Sequence, residues 1–540
     1  LRDAFGSSKT SAGFSVHENV KKAVRIMSEI KRSLRSEDGP SIDHRVFLPS
    51  LIIVLIAGVY LVIAPGRAES EASVLMSLVT TNFGWLFLLV AMATLGFCGW
   101  LAFGRYGSVR LGDPGEQPEF RELSWAAMMF TAGIGIGLVS WAFVEPVYYL
   151  MTPPMGIEAG TAAAMEWGHA YAQFHWGVVP WAFYALPTVP IAYSLYVRKS
   201  PLLRISAASE GALSTPKRRQ WWSPIIDTLV IIGIIGGAGT SIGLGVPLVA
   251  EFFGELTGIE SDMTVKLAVL AVWTLIFGTS VYRGLKAGIR RLADINIFLA
   301  VFVVVFVLLA GPTVFILSLT VNSFGLVLSN FLHMSFWLDP IEQGGFPEAW
   351  TIFYWAWWIA YAPLMGLFFG RISRGRTIRR VVLGIIGWGS LGTLSFMAVC
   401  GAYTLHLELE GLLPVTQILQ DQGREAAVVA IIETLPFSTI AILVFTVLSF
   451  IFLATTLDSV AYVLASITTR NLRGDVEPAR MNRLCWAFAL AFIAVGLLLA
   501  GGLDTVQASS VVTALPLIPV LGILALSLVR WLRTNDSIDT

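Results

Sequence analysis

The chain has 540 residues, 56% hydrophobic and 13% charged, with a mean hydropathy of +0.73 and 36 basic against 36 acidic side chains. Soluble domains sit nearer half apolar and a quarter charged, so the composition is that of a membrane protein, and the zero net charge leaves no nucleic-acid footprint. The apolar runs do not alternate in polarity, which excludes a β-barrel.

In chain order, residues 1–45 are polar, so a cleavable signal peptide is not expected there. Within them, "HENVKKAVRIMSEIKRSL" places Val20, Val24, Met27 and Ile30 at helical spacing among Lys21, Lys22, Arg25, Lys31 and Arg32. Such a basic helix either lies on an anionic membrane surface or extends as a solvated cytoplasmic tail. Apolar runs of about 20 residues, the length that crosses a bilayer core, then begin near residues 46, 84, 122, 168, 225, 264, 293, 349, 378, 437, 484 and 506. Arginine and lysine concentrate in alternate loops, from Arg105 and Arg110 to Arg371–Arg380 and Arg470–Arg483, while the other loops carry only Arg67, Lys266 and Arg424. Basic loops stay in the cytoplasm, which predicts a multi-pass cell-membrane protein with both termini inside. Cys98, Cys400 and Cys485 fall in apolar runs without metal-ligand spacing and read as small core residues.

Spans 3 and 8 cross in opposite directions. Spans 3–7 (122–321) and 8–12 (349–532) therefore read as two five-helix units of inverted topology, the architecture of many secondary transporters. Residues 1–45 form a cytoplasmic segment, 46–104 two peripheral spans, 322–348 an extracellular amphipathic helix and Gly/Pro loop, and 533–540 a short cytoplasmic tail. The predicted fold is an all-α polytopic membrane protein of 12 transmembrane helices, two peripheral and ten in a 5+5 inverted-repeat core. No G-x-x-x-x-G-K-[ST] motif is present, which favours a gradient-driven carrier over a pump.

Three spans carry the informative residues. Span 3, "MMFTAGIGIGLVSW", has Gly133, Gly135 and Gly137 at every second position. They serve either close helix packing or an unwound stretch whose N–H groups meet a substrate carboxylate. Span 4, "FHWGVVPWAFYALP", sets Trp176, Trp181 and Tyr184 beside Pro180, Pro187 and Pro190. Span 8, "FYWAWWIAYAPLMG", buries Trp355, Trp357, Trp358 and Tyr361 inside an apolar run, and i, i+3 spacing puts Trp355, Trp358 and Tyr361 on one face. Tryptophan usually marks span ends, as Trp85, Trp350 and Trp531 do. Two deep aromatic clusters, one per repeat, suit a quaternary ammonium, which lacks an N–H donor and is attracted to aromatic faces.

"FHWGVVPW", "GIGIG", "WTIFYWAWWI" and "RISRGRTIR" together resemble the betaine/choline/carnitine transporter family from about residue 46 to 530. The resemblance implies two peripheral helices before a five-plus-five inverted repeat, a homotrimer in the bilayer, and import of trimethylammonium zwitterions or cations. By motif position, Trp176, Trp181 and Tyr184 match the family's span-4 aromatic box, and Trp357, Trp358 and Tyr361 its central site. Tyr148, in "EPVYYLMTPP", and Phe452, in "FIFLATTLDS", match aromatic contributors along the substrate path. Choline carriers of the family tend to have an acidic residue where Gly137 stands. A zwitterion brings its own carboxylate, so glycine betaine, carnitine or dimethylsulfoniopropionate is the expected substrate class.

The motifs conflict over coupling. Thr455 and Thr456 match a sodium-type span-10 motif, and with carbonyls of Thr131 and Ile134 they supply the oxygens a hard cation needs. Arg290 and Met365, however, stand where a sodium-independent antiporter of the family replaces its two sodium ions, and Ala238 lacks a sodium-type hydroxyl. A fixed guanidinium repels a nearby sodium ion, which favours proton symport or substrate exchange; Asp458 is a group that could titrate. The alternatives are a sodium-coupled betaine or choline symporter, with Na+ at Thr455 and Thr456, and, in other classes, a membrane ligand sensor or a channel. No catalytic residue or cofactor is expected.

Overall fold

A computed structural model describes residues 41–133, 135–283, 286–470, 472, 477–501 and 503–536, with the side chains at 131–133, 286–294 and 535–536 set aside. The basic N-terminal helix read from the sequence lies outside these residues. Ile42–Thr540 forms one compact unit. Its β structure, among the described residues, is one sheet of two short strands and an antiparallel bridge between Arg110 and Thr377.

Helices α1 (His44–Ile63) and α2 (Pro65–Phe103) open the bundle. Span 3 is two helices, α3 (Glu122–Gly133) and α4 (Ile136–Met151), and span 4 is also two, α5 (Ala162–His175) and α6 (Val178–Tyr196). There follow α7 (Pro216–Thr257), α8 (Met263–Arg283), α9 (Lys286–Ala310) and α10 (Thr313–Phe336). A π turn, Pro347–Ile352, leads into α11 (Phe353–Ile372), followed by α12 (Ile378–Leu409). A hairpin of α13 (Val415–Asp421) and α14 (Arg424–Glu433) precedes α15 (Ser438–Ile467), α16 (Arg480–Ala500), α17 (Leu503–Ala514) and α18 (Leu517–Asp536).

Eleven of these segments are long and apolar enough to cross a membrane. They include α10, whose residues 322–336 the sequence pattern laid on the outer surface, and omit span 3, which is broken, and the apolar part of α9, Ile295–Ala310. The chain is thus an all-α polytopic membrane protein, and each of the twelve expected spans corresponds to a helix or helix pair.

Burial sorts the helices. In the apolar windows of α1, α8 and α10, 22%, 22% and 11% of residues are buried, against 89% for α7 and 94% for the segment holding α11. The first group turns most of its side chains toward lipid, which solvates apolar surface as well as protein does. The second group is the core, and α11 packs there against α6, α7 and α17. Span 12 divides at Pro516, whose ring disfavours helix in the residue before it.

Candidate functional site

The two breaks in spans 3 and 4 create the site. In span 3, Gly135 is extended (φ −118°, ψ −177°) and caps α4, and its carbonyl accepts from the Leu138 N–H at 3.0 Å. In span 4, α5 stops at His175 and Trp176 leaves helical geometry (φ −113°, ψ 9°). The break falls at Trp176–Gly177, ahead of the prolines. The freed Trp176 carbonyl accepts a hydrogen bond from Thr393 Oγ1 on α12 at 2.6 Å, and the same hydroxyl accepts from Trp181 Nε1 at 3.1 Å. A neighbouring hydroxyl is one means by which broken backbone is tolerated at membrane depth.

Between the breaks and α11 lies a cavity of about 60 Å³, room for a few waters at roughly 10–15 Å³ each. Gly135, Gly137 and Leu138 border it from span 3, Trp176 and Tyr184 from span 4, and Trp357, Trp358, Tyr361 and Met365 from α11. Ser241 of α7 and Thr456 of α15 complete the lining. No charged side chain lines it among the described residues. Trp176 meets Trp358 at 5.7 Å between ring centroids and 76°, and Trp357 at 6.2 Å and 85°. Tyr184 lies 4.8 Å from Trp358, and the Tyr361 hydroxyl pairs with Ser241 Oγ at 2.8 Å. A Cβ at Gly137 would run into Trp357, so this glycine lets the indole reach the cavity wall.

Other residues singled out from the sequence lie elsewhere. Trp181 backs the cage from behind, 5.5 Å from Trp358 and closely packed on Gly389. Trp355 turns away, toward Phe174 (5.5 Å) and Phe183 (6.2 Å). At about 100° per residue, Trp357, Trp358 and Tyr361 share an arc of about 100°, and Trp355 falls outside it. Tyr148 joins a separate cluster with Trp141 (5.8 Å) and Trp350 (5.3 Å). Phe452 is buried on α15, and its carbonyl accepts from Thr456 Oγ1 at 2.8 Å. Thr455 Oγ1 bonds to Ile451 O at 2.9 Å and does not line the cavity. Asp458 accepts a hydrogen bond from Ser280. Gly133 ends α3. Ile134 and the side chains of Thr131 and Arg290 lie outside the described residues. The cysteines are free, and no group of three or more His, Cys, Asp or Glu gathers as a metal site among the described residues.

The sequence reading passed over Ser241 and Glu145. Glu145 was detectable as an ionisable residue inside the apolar run "WAFVEPVYYL", where such a residue is functional by default. Ser241 carried no such signal.

A buried cavity where two broken spans meet, within a polytopic helical bundle, is the arrangement of a secondary transporter. The model of the betaine/carnitine/choline family transporter (BCCT) matches residues 45–537, and the chain belongs to that family. It is a membrane-embedded secondary transporter of a small molecule. Among solved structures it is similar to a Na+-coupled sialic acid symporter in a substrate-bound outward-open state, with a TM-score of 0.41 and 12% identity over 83% of this chain and 86% of that one. A likeness at that level decides nothing about substrate or ion.

Proposed function

We propose that the protein imports a trimethylammonium or dimethylsulfonium zwitterion, such as glycine betaine, carnitine or dimethylsulfoniopropionate, by alternating access. The observation that carries this reading is the crossing of Trp176 and Trp358 at 5.7 Å on a cavity with no charged lining residue among the described ones. Aromatic faces attract a diffuse cation and solvate its methyl groups, and a desolvated contact contributes about 2 kcal/mol. The N-terminus of α4, beside Gly137, presents the positive end of the helix dipole, which suits the carboxylate. The protein works as a trimer in the cell membrane with both termini cytoplasmic.

Coupling is sodium-independent in this reading, by proton symport or exchange. Met365 supports it, because a thioether shares the cavity wall with Thr456, where a hard cation wants oxygen. The second reading, sodium symport, draws on the Thr456 hydroxyl at the same wall. Proteoliposome uptake of labelled betaine, carnitine, choline and dimethylsulfoniopropionate, under separate sodium and proton gradients, tests both. Accumulation of a zwitterion without sodium is expected. A steep rise with sodium reverses the coupling, and saturable binding without accumulation makes the protein a sensor.

A further inference from the structure

Glu145 stands on α4 two turns beyond Gly137, with no exposure to solvent. One carboxylate oxygen accepts hydrogen bonds from Trp176 Nε1 at 2.9 Å and from the Tyr354 hydroxyl. The other accepts from the Tyr149 hydroxyl at 2.7 Å. An indole N–H can only donate, and three donors converging on two oxygens suit an ionised carboxylate, which can only accept. Having given its hydrogen to Glu145, Tyr149 accepts from His175 Nδ1 at 2.9 Å, which leaves His175 Nε2 to accept from Thr351 Oγ1 at 3.0 Å. His175 Nδ1 itself is 3.7 Å from Glu145, beyond a direct hydrogen bond. No lysine or arginine forms an ion pair with Glu145 among the described residues.

A buried carboxylate without a cationic neighbour is costly unless hydrogen bonds and a nearby positive charge offset it. Glu145 has the hydrogen bonds, and its missing cation has an obvious place: the cavity that Trp176 lines. Trp176 also needs a tether, because it sits at a helix break where backbone geometry does not fix its ring. Donation of the indole N–H to an anion polarises the ring toward greater electron density, which strengthens its pull on a cation.

We infer that Glu145 is the positioning residue of the cage: it holds the Trp176 indole across the cavity wall and supplies the negative charge behind it. The cage thereby prefers a cationic head group over a neutral one of the same shape. This rests on the ammonium reading of the cavity.

The test compares glycine betaine with 3,3-dimethylbutanoate, which has carbon in place of the ammonium nitrogen and keeps the carboxylate. Equilibrium binding is measured in reconstituted wild type, Glu145→Gln, Glu145→Asp, Trp176→Phe and the Gln/Phe double variant. The Gln variant should lower the betaine-to-isostere affinity ratio about tenfold, with isostere affinity changed less than about twofold. The Asp variant keeps the charge and should retain most of the ratio even where overall affinity drops. The double variant should fall no further than the worse single one, since both remove the same contact. Equal loss of both ligands in the Gln variant means that Glu145 only supports the fold, and overturns the inference; so does an unchanged ratio. If the Gln variant does not fold, loss of the ratio in the folded Asp variant overturns it. A wild type that binds betaine with none of these ratio changes leaves the ammonium site standing and removes Glu145 from it. A wild type that binds none of betaine, carnitine and choline overturns the ammonium reading and this inference together.

Discussion

Trp358 is where side-chain chemistry weighs most. It touches Trp176, Trp181 and Tyr184, and it is buried with no partner for its indole N–H among the described residues. Trp358→Ala should weaken betaine binding about thirtyfold, the equivalent of about 2 kcal/mol, and Trp358→Phe, which keeps a weaker aromatic face, should lose less. Trp355→Phe, three residues away, should leave affinity near wild type, because Trp355 packs on Phe174 and Phe183 behind the site. Titration calorimetry on the three variants, alongside thermal melts, separates lost binding from lost packing. Gly137 and Gly135 make a second pair. A methyl at Gly137 collides with Trp357, whereas one at Gly135 meets nothing within 4 Å. Gly137→Ala should therefore displace Trp357 and reduce affinity by about an order of magnitude, a displacement worth about 1–3 kcal/mol in a packed core. Gly135→Ala should be far milder. Equal effects in a parallel binding assay would mean that Trp357 is not held by the fit at Gly137. The same collision bears on any acidic substitution at Gly137, whose first consequence is steric.

At the scale of elements, both breaks need partners from outside their own span. Thr393 of α12 serves the span-4 break by donating to Trp176 O and accepting from Trp181 Nε1. Thr393→Val keeps the shape and removes both bonds, leaving two buried polar groups unsatisfied at about 1–3 kcal/mol each. The expected result is a lower melting temperature together with weaker betaine binding, since Trp176 lies at the break. A variant that melts earlier but binds normally would show that the break tolerates rearrangement without moving Trp176. Sequence pattern located these elements only in part. The glycines of "GIGIG" did mark a break, because each weakens a helix by roughly 1 kcal/mol. In span 4 the prolines at 187 and 190 sit inside the continuous helix α6, and the chain opens instead at Trp176–Gly177. A helix can absorb a proline when neighbours satisfy the freed groups, so prolines alone did not locate the opening.

Across the whole molecule, Arg204 ties the peripheral and core helices together at one end. Its guanidinium lies 3.0 Å from Asp43 beside α1 and 3.6 Å from Asp227 on α7, and it donates to Thr469 O, beyond α15, at 2.5 Å. Burial alone would raise the Asp43 carboxyl, but Arg204 and Arg470 beside it hold it below its ordinary value. The unfolded chain then takes up this proton more readily than the folded one, so the contribution is complete above the unfolded value of about 3.9 and fades as pH falls through the lower folded value. Thermal melts across an acid series should show this loss, and Arg204→Gln should reduce it; an identical acid profile in the variant would remove Asp43 from the cause. Composition and periodicity alone determined the solvent in which this protein folds and its all-helical class, because a bilayer demands long apolar helices; its family was legible only through the resemblance of a few contiguous motifs. They also placed Trp176, Trp357, Trp358 and Tyr361 as aromatic and deep. Only the tertiary structure decided that these four share one cavity while Trp355, Tyr148 and Thr455 do not, that Ser241 pairs with Tyr361, and that the Trp176 indole donates to Glu145. Those relations join residues from one helix to residues as many as 209 positions away, as Glu145 and Tyr354 are, and periodicity along one helix fixes a face without naming what that face will meet.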